Sequence, residues 1–224
     1  RIYLKYDAKE RPVIQGLATD QQVNDKTPDA TCAGCGFRPL SQSETSIAVD
    51  GLSLMASWNN SRGFCAGTAV QGYGWSVNGG ATWTDAGDPP PLAGGGRYRG
   101  DPLTAVNRKT GRFYVGGLYE GGVNGSGVAA LRGHFASGAF VIDDNRQLAV
   151  GGADFIDKEW MAVDSLGGNV YFSWTNFQSA GGDQIEFARF DADLNSLGAI
   201  QVLSSPAANG NVQGSRPCMG PDGV

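Results

Sequence analysis

Glu44-Thr45-Ser46-Ile47-Ala48-Val49-Asp50 is the stretch that decides the fold, because its pattern returns. It comes back as Asp101-Pro102-Leu103-Thr104-Ala105-Val106-Asn107, as Lys158-Glu159-Trp160-Met161-Ala162-Val163-Asp164, and as Arg216-Pro217-Cys218-Met219-Gly220-Pro221-Asp222. The Ala or Gly of the four segments falls at 48, 105, 162 and 220, which gives spacings of 57, 57 and 58 residues. After a turn, each of the first three leads into a second apolar run: Leu54-Met55-Ala56-Ser57-Trp58, Phe113-Tyr114-Val115-Gly116-Gly117 and Val170-Tyr171-Phe172-Ser173-Trp174. Trp83 and Phe140 are also 57 apart, so the register persists into the later part of the unit.

A unit of this length, with about four short strands and no helical periodicity, is the signature of a propeller blade, a four-stranded sheet repeated around an axis. The predicted fold is therefore all-β: a propeller of four-stranded antiparallel blades over 44–100, 101–157 and 158–215, a fourth opening at 216, and a loop-rich segment over 1–43. Three units and the opening of a fourth do not close a ring, so further blades or partner chains are expected to complete it. The competing arrangement is a four-bladed ring in which 1–43 adds outer strands, at 2–6 and 13–17, to the blade opened at Arg216. Residues 20–35 read as loop.

Composition agrees. Of 224 residues, 35 are Gly and 10 Pro, and only 17% are charged, which favours strands and turns over long helices. The formal net charge of −5 argues against a nucleic-acid partner, since phosphate binding needs a basic surface. No apolar run reaches the roughly 18–20 residues of a membrane span. The four cysteines, Cys32, Cys35, Cys65 and Cys218, suit two disulfides in an oxidising compartment, with three pairings open, and point to a secreted, extracellular or periplasmic protein. Cys32-Ala33-Gly34-Cys35 lacks the second ligand pair of a zinc site and the strand–helix setting of a redox motif.

Ser76-Val77-Asn78-Gly79-Gly80-Ala81-Thr82-Trp83 is a hairpin signal: short polar side chains able to bond the turn backbone, glycines able to take positive φ, and a Trp to pack back on the sheet. It resembles the Asp-box, or bacterial neuraminidase repeat, with Ser76, Asn78, Gly80, Thr82 and Trp83 at the motif positions and Asn78 in the Asp place. Together with the blade-opening segments, it makes the chain from about 41 to 224 similar to secreted sialidase-like propellers. The resemblance implies a structural role for the box, and for the whole an extracellular glycan-binding or protein-interaction module. It equally leaves open an exo-sialidase-type glycoside hydrolase with part of its active site in further blades, or a structural subunit of a larger extracellular assembly. A sialidase would need clustered arginines, and Arg38, Arg97, Arg99, Arg189 and Arg216 are the available ones. It would also need a Tyr–Glu nucleophile pair, which the sequence does not single out. Asp191-Ala192-Asp193-Leu194-Asn195-Ser196 begins like a calcium loop but lacks its later Gly and Glu, and reads as a degenerate box two periods after Ser76.

The repeat points to one candidate site. Equivalent blade positions occupy equivalent places around the axis, so Glu44, Asp101, Lys158 with Glu159, and Arg216 should rim the central channel on one face, with Asp157 adding from the preceding loop. A glycan or an extracellular protein is the partner such a rim would suit. No cofactor is required and no metal-ligand spacing stands out, although the rim leaves room for Ca2+. Tyr98, Tyr114, Tyr119 and Tyr171 read as strand aromatics, His134 as hairpin decoration, and Arg99-Gly100-Asp101 as a consequence of blade topology.

Overall fold

The computed structural model describes residues 21–25, 42–121, 125–204 and 212–220. The expected strands at 2–6 and 13–17, together with Cys32, Cys35 and Arg38, lie outside the described residues.

Among the described residues, twelve strands form three antiparallel sheets of four. The first holds β1 (Gln42–Asp50), β2 (Ser53–Asn60), β3 (Gln71–Ser76) and β4 (Thr84–Gly87). The second holds β5 (Arg97–Asn107), β6 (Arg112–Glu120), β7 (Gly127–Ala136) and β8 (Ala139–Val150), and the third β9 (Phe155–Val163), β10 (Val170–Phe177), β11 (Asp183–Phe190) and β12 (Gln201–Val202). Strands within each sheet follow chain order, and the first strands of neighbouring sheets lie against one another. The described residues are thus three propeller blades in succession, and they do not close a ring.

The second strands are the most apolar because blades cover them on both faces. In β2 the run Leu54 to Trp58 is buried throughout, as is Phe113 to Gly117 in β6. Ala48, Met55 and Tyr73 of the first blade pack on Phe113, Val115 and Leu131 of the second. On the second blade's other face, Leu103, Tyr114, Val128 and Ala130 meet Met161, Phe172, Trp174 and Phe190 of the third. Gly117 permits the closest approach. A Cβ there would stand 2.0 Å from Oε1 of Gln71, whose buried side chain crosses from the first blade to donate to Gly116 O at 3.0 Å.

One short helix interrupts the all-β pattern. α1 (Ser61–Ala66) joins β2 to β3, capped by the Asn60 side chain accepting from Arg62 N at 3.1 Å and ended by Gly67 in the left-handed region.

The hairpin between β3 and β4 is held by its own side chains. Ser76 Oγ accepts from Gly80 N at 3.0 Å and donates to Asn78 Oδ1 at 2.9 Å. Asn78 Oδ1 also accepts from Thr82 N at 2.9 Å, and Asn78 Nδ2 donates to Thr82 Oγ1 at 2.8 Å. In the hairpin between β11 and β12, Asp191 Oδ1 accepts from Asp193 N at 2.8 Å and Asn195 N at 2.9 Å, and Oδ2 accepts from Asn195 Nδ2 at 2.9 Å. Asp191 thus accepts from the backbone N–H groups two and four residues on, the pattern that Ser76 Oγ makes two periods earlier with Asn78 N at 3.3 Å and Gly80 N at 3.0 Å. This second hairpin also clasps the neighbouring blade: Asp193 pairs with Arg112 at 2.6 Å and with Arg132, Arg146 Nη1 donates to Asn195 Oδ1 at 3.0 Å, and Leu194 is buried in the shared core.

Among the described residues Cys218 is exposed and unpaired, and its candidate partners Cys32 and Cys35 lie outside them.

Because Asn78 holds the β3–β4 turn through several hydrogen bonds of roughly 0.5–1.5 kcal/mol net each, Asn78→Ala should lower unfolding free energy by about 1–2 kcal/mol. Asn78→Asp keeps every acceptor, and the Thr82 hydroxyl can donate in place of the lost amide, so it should be near neutral. Urea denaturation of the two variants checks both.

Candidate functional site

The first strand of each blade carries an extra residue. Pairing shifts register between Ser43 and Ser46 in β1, between Gly100 and Leu103 in β5, and opposite Ser173 and Thr175 in β9. At each bulge a non-glycine residue takes positive φ: Glu44 at 51°, Asp101 at 50° and Lys158 at 52°. Few side chains tolerate that conformation, which costs on the order of 1 kcal/mol or more. The three residues lie 57 apart in the chain. The same strained turn is therefore built three times, and each time it holds a charged side chain at the inner edge of a blade.

These turns converge on one cleft of about 400 Å³, lined by Glu44, Ser46, Asp101, Lys158, Trp160 and Arg216 among others. Lys158 Nζ donates to Asp101 Oδ2 at 2.8 Å. Asn59 ties the first two blades together at this point: its Nδ2 donates to Glu44 Oε2 at 3.0 Å, and its Oδ1 accepts from Asp101 N at 3.1 Å. The adjoining Gly100, at φ +112°, is required twice over, since a Cβ there would also stand 2.7 Å from Asn59 Oδ1. Trp160 is 37% exposed, and the Arg216 guanidinium lies 4.5 Å from its ring centroid.

Behind this front, Asp101, Asp157 and Glu159 each place an oxygen within 4.8 Å of the other two. Glu159 is 3% exposed, and neither of its carboxylate oxygens has a hydrogen-bond partner. Burial foremost, then the charge of Asp101, pushes its pKa well above the ordinary carboxylate range. Glu44 is raised first by its hydrogen bond to the Asp101 carboxyl and then by burial, and Asp157 is raised chiefly by burial. Lys158 is raised by its hydrogen bond to Asp101. Four carboxyl groups thus crowd one ammonium.

All six rim residues read from the repeat come together here: Glu44, Asp101, Lys158, Glu159 and Arg216 line the cleft, and Asp157 stands beside Asp101 and Glu159. Of the other arginines, Arg99 pairs with Glu120 at 2.6 Å and Arg189 reaches Leu197 O at 3.4 Å, and neither Arg97, Arg99 nor Arg189 lines the cleft. Tyr98 and Tyr114 are buried, donating to Asn145 and to Ala192 O, and Tyr171 stacks on Phe187. His134 pairs with Asp143 on the β7–β8 hairpin. Sequence reasoning passed over Asn59 and treated Trp160 only as part of the repeat. A polar residue closing an apolar second strand was the available signal for Asn59.

No protein-family model matches the chain, and no curated protein does. Solved structures share its fold. An endo-arabinase from Bacteroides thetaiotaomicron superposes with a TM-score of 0.51 at 17% identity, over 72% of this chain and 55% of that one. A mutant of Trypanosoma rangeli sialidase displaying trans-sialidase activity gives 0.51 at 14% identity, over 72% of this chain and 30% of that one. The chain spans about half the length of the first and less of the second. At such identities the likeness is one of fold.

Two outcomes follow from the strain and burial at this site. Glu44→Gly relieves a left-handed residue and a carboxyl–carboxyl contact, and should raise stability by about 0.5–1 kcal/mol. For Glu159, whose folded-state pKa exceeds its unfolded value, the favourable contribution is complete below the unfolded value of about 4.3 and is lost as pH rises through the folded value. In buffer free of multivalent cations, stability should therefore decline from about pH 4.5 upward, and Glu159→Gln should flatten that decline. Thermal melts across pH 4–9 read both effects.

Proposed function

We propose that this chain is an extracellular glycan-binding propeller module whose ligand sits in the cleft at the inner edge of the three blades. The observation that carries this reading is the joining, in one cleft, of a partly exposed indole with charged side chains held rigidly by three equivalent bulges. Sugars present an apolar C–H face to aromatic rings and hydroxyls to carboxylates and ammonium groups, and clefts that bind them combine both. Trp160 supplies the platform, Glu44 and Asp101 accept from hydroxyls, and Lys158 and Arg216 donate to ring or hydroxyl oxygens. Carboxyl groups outnumber cations here, which favours a neutral glycan over an anionic one. The fold's likeness to an arabinase and a sialidase is in keeping with a glycan ligand.

A hydrolytic reading has one specific observation in its favour. Glu44 and Asp101 bring two carboxyl groups into the same cleft, and the nearness of Asp101 is the first cause that raises the Glu44 pKa. Most glycosidases work with a pair of carboxyl groups that flank the scissile bond, one as acid and one as base or nucleophile. Turnover of chromogenic glycosides, lost in Glu44→Gln, would mark the protein as an enzyme.

A glycan array followed by calorimetry tests the binding reading. Trp160→Ala should weaken the best ligand at least about tenfold, in keeping with the loss of an aromatic platform worth over 1 kcal/mol. Absence of any bound glycan, or unchanged affinity in that variant, would overturn it.

A further inference from the structure

Beneath the cleft, in the seam between the second and third blades, lies a group of side chains that the glycan reading does not use. We propose that Asp101, Asp157 and Glu159 bind a divalent cation of the hard, oxygen-seeking class, calcium in particular, between the inner strands β5 and β9.

The first observation is geometric. Three carboxyl groups from two blades each direct an oxygen into one region, all within 4.8 Å of one another. Oxygens this close can share one ion, and calcium, with six to eight ligands in flexible geometry, suits carboxyl groups drawn from two strands better than magnesium, which demands a near-ideal octahedron. The second observation is independent of that spacing. Glu159 is almost wholly buried, yet both of its oxygens lack any hydrogen-bond donor. A buried carboxylate without partners is among the costliest groups a fold can carry, and it is ordinarily matched by a counter-charge or a metal. The one ammonium nearby, Lys158, reaches Asp101 Oδ2.

Charge points the same way. Three carboxylates against one ammonium leave an excess of two negative charges, which a divalent ion neutralises. Glu44 in front adds to the excess; its pKa is raised first by its contact with Asp101, whereas burial comes first for Asp157 and Glu159 and the charge of Asp101 adds to both. Zinc would prefer nitrogen or sulfur ligands, and His134 is engaged with Asp143 on a distant hairpin of the second blade. The donor set is all oxygen, as hard cations require.

The strained turns acquire a purpose in this arrangement. The bulge at Lys158 opens the ladder between Asp157 and Glu159, and both carboxyl groups reach the one site. The cation would also join two blades that meet here through a single ion pair, Lys158 with Asp101, amid an excess of carboxyl groups.

The experiment needs no glycan, so its outcome is separate from that of the binding reading. Protein stripped with EDTA is titrated with CaCl2 by calorimetry and by thermal melting, with MgCl2 in parallel and Tb3+ as a luminescent probe excited through tryptophan. Calcium at ten times its dissociation constant should raise the melting midpoint by about 3–6 °C, with a much smaller effect of magnesium. Glu159→Gln and Asp157→Asn should each abolish the shift and the terbium signal, while Asp191→Asn, in the β11–β12 hairpin, should leave both intact. Folding of each variant is checked by circular dichroism, and Asp157→Asn carries the test should Glu159→Gln fold poorly. A wild-type protein indifferent to about 10 mM CaCl2, beyond the range of weak extracellular calcium modules, would overturn the proposal. So would a calcium response that survives both substitutions.

Discussion

A twisted four-stranded sheet has two faces, and water tolerates at most one of them being apolar. Everything else in this structure follows from how the blades meet that constraint. The second blade buries one face on Ala48, Met55 and Tyr73 of the first and the other on Phe172, Trp174 and Phe190 of the third. Its second strand can therefore be apolar on both sides. The same stacking brings the first strands side by side, so that a residue repeated every 57 positions arrives repeatedly at one place. The cleft is a by-product of packing that was needed for stability.

At the cleft the ordinary preferences of a folded chain are reversed. Three non-glycine residues hold positive φ, one buried carboxyl lacks any partner, and four carboxyl groups face one ammonium. Each of these features opposes folding, and they coincide within a single seam. The buried contacts of another carboxylate differ: Trp174 Nε1 and Asn176 Nδ2 both donate to Glu186, at 2.7 and 3.0 Å. The coincidence of backbone strain with crowded, unpaired carboxyl groups in one cleft is the physical ground for locating function there.

The blade architecture was legible because a constant period is a long-range signal that survives weak local propensities. The rim residues were legible for the same reason, since the period alone fixes their place around the axis. What the sequence concealed was backbone conformation. Nothing in Glu44, Asp101 or Lys158 announces a left-handed residue, because that state is imposed by the neighbouring strand and not by the side chain. Glu159 looked like one more rim charge, and only its burial beside Asp101 and Asp157 sets it apart. Asn59 hid at the end of an apolar run, where its role depends on a partner 42 residues away. The helix Ser61–Ala66 was too short for periodicity, although Asn60 and Gly67 were serviceable start and stop signals.

The clasp of the β11–β12 hairpin on the second blade has a mechanical meaning. In a radial array, a bond between outer strands acts at the end of a lever, so it restrains the angle between blades more firmly than an equal bond near the axis. Asp193 with Arg112 and Arg132, and Asn195 with Arg146, occupy such a position. They fix how far the second and third blades can open about the seam where Asp101 faces Glu159. The precision of the centre is thus set partly from the circumference, by residues that never approach the cleft.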